Sequence, residues 1–95
     1  MNTYILVEPK KIELITAIND VEKSFVLCVN KNCFSEDLKR KSIDVLMKID
    51  EVVVLINTTC HTMDAVTYRK QTCDQFLDDA QELLREMRFA VRKCF

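Results

Sequence analysis

A chain of 95 residues, 48% hydrophobic and 31% charged, is enough for one small domain and too short for two. One proline and no glycine exclude the glycine-rich phosphate loops of P-loop and Rossmann folds and argue against β meanders turned on glycine. Fourteen Lys+Arg against fifteen Asp+Glu leave a formal charge of −1, so binding to nucleic acid or an anionic membrane has to be local rather than global.

The N-terminal MNTYILVEPKK lacks a basic region followed by a long apolar core. No uncharged stretch nears the roughly 18 residues of a spanning helix. The expectation is a soluble, unexported, cytoplasmic protein. Residues 1–8 read equally as an extended arm or an extra helical turn. From Pro9, suited to a first helical turn, Leu14, Ile18, Val21, Phe25 and Cys28 recur at spacings of three and four, which predicts a helix over about 9–29. The polar NKNC run at 30–33 interrupts it.

Ser35 then offers an N-cap, and Glu36 and Asp37 suit the first turn of a second helix over 36–57. Its apolar stripe is Leu38, Val45, Ile49, Val52 and Ile56, with Ser42 filling the gap in the rhythm and Leu46 and Val53 widening the face. The competing reading makes YILV at 4–7 and VVVLI at 52–56 buried strands, because short β-branched runs are ambiguous. NTTCHTMD at 57–64 reads as a connection in which Thr62 or Asp64 starts the third helix, over about 65–94. Cys73, Phe76, Ala80, Leu83, Met87, Ala90 and Cys94 keep helical spacing throughout it, flanked by Leu77, Leu84 and Val91. The predicted fold is all-α, an antiparallel up-down-up bundle of three long helices.

Five cysteines, without any C-x-x-C pair, indicate neither a disulfide framework nor a zinc knuckle. Reduced thiols are expected, with Cys28, Cys73 and Cys94 as small core residues. His61, the one histidine, stands beside Cys60 in the connection, where sequence adjacency makes no nucleophile pair; a metal site built on these two with Cys73 or Cys33 matches no structural zinc spacing. Asp78 and Asp79 lie about 100° apart on a helix and make no facing acid/base pair. No catalytic residue, metal ligand or cofactor site is assigned, and the chain reads as a non-enzyme.

Up-down-up packing gathers Lys31, Lys39, Arg40, Lys41, Arg85, Arg88, Arg92 and Lys93 at one pole, with Asp50, Glu51, Asp64 and Asp74 toward the other. Arg85, Arg88 and Arg92 share a stripe that could meet phosphates or an acidic protein patch, or could complement the helix C-terminus and pair with Glu82 and Glu86.

The run SEDLKRKSIDVLMKIDEVVVLIN and the later YRKQTCDQFLDDAQELLREMRFAVRKCF, about 60 residues in all, resemble the four-helix-bundle family that includes the accessory variability proteins of diversity-generating retroelements, with the ribosomal intervening-sequence proteins as distant members. Leu38, Lys39, Lys41, Ser42, Ile43, Asp44 and Val45 answer the family's "L-K-x-K-S-x-D-L" start, and Ile56 and Asn57 its "A-N" end. Phe76, Ala80, Leu83, Leu84, Met87, Arg88, Ala90 and Val91 answer its last-helix pattern. The family usually continues into a fourth helix and is more basic than this chain. The resemblance therefore implies a bundle completed by a neighbouring copy, in a ring-like homo-oligomer of about five. It implies a non-catalytic partner of a reverse transcriptase and template-repeat RNA in mutagenic cDNA synthesis, with the eight cationic residues as the contact set. The rival expectation is a small helical interaction module, antitoxin-like or inhibitor-like, without nucleic acid. A less favoured third is a thiol sensor using Cys33 and Cys60.

Overall fold

The computed structural model describes residues 5, 6 and 8–94. Three helices follow in order, α1 (Glu8–Asn30), α2 (Glu36–Asn57) and α3 (Met63–Lys93). Bundle and boundaries agree with the sequence pattern to within two residues. Residues 5 and 6 are non-helical, with Leu6 packed against the core; the rest of the arm-or-turn question, at 1–4 and 7, lies outside the described residues. The β-branched run at 52–56 is helical, because Val52 and Ile56 fall on the buried stripe of α2 and tertiary burial outweighs β propensity.

Each junction is built from side chains that a glycine-free sequence can supply. Ser35 and Thr62 cap α2 and α3, accepting from the N–H of Leu38 and Ala65 at 3.1 Å each. At the end of α1, Cys33 N–H donates to Cys28 O at 2.9 Å and Asn32 N–H to Val29 O at 3.1 Å, the paired bonds of a Schellman turn. Asn32 takes the left-handed conformation (φ 53°) that this turn usually assigns to glycine. Asn57 Nδ2 and Thr58 Oγ1 fold back onto Val53 O and Val54 O and satisfy the last carbonyls of α2.

α3, the longest helix, packs against both others and makes most of the interhelical contact. The core joins Leu14, Ile18, Val21 and Cys28 of α1, Leu38, Val45, Val52 and Ile56 of α2, and Phe76, Leu83 and Met87 of α3. Ser42, fully buried in the gap of the α2 stripe, donates to Leu38 O at 2.8 Å. Phe25 and Phe34 close the α1–α2 end with ring centroids 5.2 Å apart.

The cysteines depart from expectation in two respects, since Cys33 and Cys94 are not reduced thiols and Cys94 is not in the core. Cys28, Cys60 and Cys73 are buried and free, whereas Cys94 is exposed and joined by a disulfide to Cys33 in the α1–α2 turn, their Cα atoms 6.2 Å apart. Cys94 is therefore not a core residue: the helical spacing points it inward, but the bundle has ended by that position, as Arg92 and Lys93 on either side of the axis are also exposed.

Candidate functional site: a cationic pole

The up-down-up path brings the end of α1, the start of α2 and the end of α3 to one pole, as the Cys33–Cys94 pairing requires. All eight cationic residues read from the sequence lie in these segments and all are exposed. They are not equally free of partners. Lys41 Nζ donates to Glu86 Oε1 at 2.9 Å and lies 3.5 Å from Asp37 Oδ2. The Glu86 carboxylate, with Asp37 behind it, raises the Lys41 ammonium above its ordinary value of 10.5. Lys41 is thus a tie between α2 and α3. Lys93 is drawn over the Phe89 ring, 5.4 Å from its centroid.

Arg85, Arg88 and Arg92 remain. They follow one stripe of α3, and among the described residues no carboxylate forms a salt bridge with any of them. Arg88 and Arg92 edge a groove of about 380 Å³ between α3 and α1, floored by Leu27, Met87 and Val91. Arg85 and Lys93 edge a second, of about 540 Å³, with Cys33, Leu38 and Phe89. Lys31, Lys39 and Arg40 sit on the α1–α2 turn and the first turns of α2. Neither Glu82 nor Glu86 forms a salt bridge with the stripe, Glu86 being engaged by Lys41, while Arg92 stands in the last turn of α3, where it complements the helix C-terminus.

The opposite pole is more neutralised than its sequence suggests. Asp74 lies 2.9 Å from Lys10 and 3.2 Å from Lys70, and the Lys10 ammonium, then Lys70, hold its carboxyl below the ordinary 3.8. Glu51 accepts from the Tyr68 hydroxyl; midway along the bundle, Asp79 faces Lys48 at 3.8 Å.

The thiols and the histidine make no catalytic arrangement. Cys60 is buried while His61 beside it is exposed, and Cys33 and Cys60 occupy turns at opposite ends of α2. Burial pushes the Cys28 and Cys73 thiols up, away from the reactive thiolate. Among the described residues no three His, Cys, Asp or Glu side chains are grouped to hold a metal ion, and no helix is long and apolar enough to cross a membrane.

Two features escaped the sequence pattern. Arg69, 5% exposed, lies inside the bundle and donates to Thr58 O at 3.1 Å, strapping the α2–α3 connection. Its position, seven residues before Phe76 and four before Cys73, is the only signal of its burial. One exposed stripe of α1 carries four apolar residues, Ile12, Ile15, Val26 and Val29.

No family model, curated protein or solved structure matches this chain.

Proposed function

We propose that the chain is a non-catalytic binding protein whose α3 stripe, Arg85, Arg88 and Arg92, holds an anionic polymer. The partner implied by the resemblance is the template-repeat RNA of a diversity-generating retroelement, or the reverse transcriptase that carries it, and the role is support of mutagenic cDNA synthesis as a cytoplasmic homo-oligomer. The observation that carries the reading is that these three guanidiniums share one stripe and have no salt-bridge partner among the described residues, while the neighbouring Lys41 is neutralised. A guanidinium that needs no internal partner keeps its bidentate donors for phosphate.

Three released counterions give a slope of about −2 in log affinity against log salt for a single strand, so a fourfold rise in salt weakens binding by roughly 16-fold. The test is titration of a labelled single-stranded RNA at both salt levels with the wild type and with Arg85→Glu/Arg88→Glu. The variant should lose most of the affinity and the slope while keeping its helical spectrum; equal binding by the two proteins removes the stripe from the mechanism. A second reading, a protein-interaction module without nucleic acid, is favoured by the exposed apolar residues of that α1 stripe. It expects no RNA binding and a salt-insensitive partner.

A further inference from the structure

α1 carries a second stripe at the spacing of its buried one, and this stripe is exposed. Ile12, Ile15, Asn19, Glu22, Val26 and Val29 follow at spacings of three, four, three, four and three, an a/d heptad seam on one helix face. The four apolar members are 57, 47, 56 and 51% exposed in chain order. Asn19 and Glu22 are exposed as well. The seam is turned away from α3, whose grooves against α1 are edged by Glu13, Asp20 and Ser24 instead.

The order is palindromic. Reversed about the midpoint between Asp20 and Val21, Ile12 falls on Val29, Ile15 on Val26, and Asn19 on Glu22. A surface with this property is its own complement under a two-fold axis, since residue i meets j and j meets i. We infer that α1 pairs antiparallel with α1 of a second copy through this seam. The two apolar ends then meet apolar ends, and at the centre the Asn19 amide donates to the Glu22 carboxylate of the other copy. A polar pair at the middle of an apolar seam fixes register, because a shift of one turn would set Asn19 or Glu22 against isoleucine or valine.

The size is sufficient for a reversible dimer. Residues 12–29 span about 26 Å of helix. Ile43 and Val53 of α2, each 41% exposed, extend the face on the flank turned away from Lys41 and Lys48, which bind α3. A strip two helices wide covers about 500 Å² per copy, near the 1,000 Å² total at which specific association begins. This pairing is independent of the arginine stripe, which lies on another helix. It differs from the five-membered ring that the resemblance implies, because a two-fold seam closes on two copies.

The experiment has two arms, both on the full chain. Light scattering across the micromolar range should show the mass rise from 11.1 kDa toward twice that value, and Ile15→Lys should hold it at one chain with an unchanged helical spectrum. In the second arm, Ile15→Cys/Val26→Cys is treated with a bis-maleimide too short to span the roughly 16 Å that eleven helical residues set between equivalent positions. The double variant should cross-link to dimer, and each single variant and the wild type, whose free thiols are buried, should not. A chain that stays at one copy up to about 0.5 mM, an oligomer that Ile15→Lys leaves intact, or equal cross-linking of single and double variants overturns the pairing. If Ile15→Lys unfolds, the cross-linking arm decides.

Discussion

α3 and α1 are both long helices with one face in the same core, but their opposite faces differ. From Asp78 to Arg88 every outward position of α3 is polar, with Asp78, Gln81, Glu82, Arg85 and Arg88 exposed. The outward positions of α1 are half apolar, with Ile12, Ile15, Val26 and Val29 exposed to a similar degree. One apolar arc is what a helix needs to join a bundle. α1 has a second at the same period, on its flank, and there it stays exposed. The inward faces explain the fold, and the outward faces separate a surface suited to anions from one suited to another helix.

The largest break in this comparison comes from equal truncations on the two faces. Phe76→Ala, at a site 1% exposed, should cost about 3–5 kcal/mol through lost transfer energy and the cavity left behind. Ile12→Ala should change the stability of the isolated chain by less than about 0.5 kcal/mol. Urea denaturation at low protein concentration reads both, and comparable losses would mean that the outward side of α1 is part of the monomer core.

A smaller effect separates two arginines of α3. Arg69→Met removes the part-buried, charge-assisted hydrogen bond that a buried arginine makes to Thr58 O and should cost about 1–3 kcal/mol. Arg88→Met, on the exposed stripe, should leave stability within about 0.5 kcal/mol of the wild type while weakening RNA binding. Chemical denaturation together with the RNA titration gives both readouts, and a stability loss at Arg88 would make the stripe structural.

The smallest effect concerns the ion pair that ties the two helices at the far pole. Because Lys10 and Lys70 lower the Asp74 pKa, the stabilisation is in place above the ordinary value of 3.8 and fades as pH falls through the lowered one. Lys10 is raised by the same partner, so its share persists below 10.5 and is lost as pH climbs beyond it. Asp74→Asn should therefore lower the middle of the stability profile slightly and flatten its fall below about pH 4, so that the two proteins converge in acid. A profile that overlays the wild type would show the pair to be without effect in solution.

The bundle was legible because three apolar stripes keep helical spacing and capping residues stand at their starts; even Ser42, out of character on an apolar stripe, occupies its position in the core. The cationic pole followed from topology alone. What the pattern could not show was how charges divide. That Lys41 would be tied to Glu86 while Arg85 stayed open depends on side-chain reach across two helices. Arg69 was hidden because a long cationic side chain at a buried position looks like any other surface arginine. Cys94 was misplaced because periodicity continues past the point where the neighbouring helices stop.

Asn32 has a wider consequence. Among the described residues it is the one with a positive φ, in a chain that contains no glycine. Mutational tolerance should then split unusually cleanly: at nearly every site a substitution is judged by size and polarity, and at this one by handedness. A saturation scan should single out position 32, where β-branched residues fail although the side chain is exposed, and where glycine, nowhere used by this protein, is the replacement accepted best.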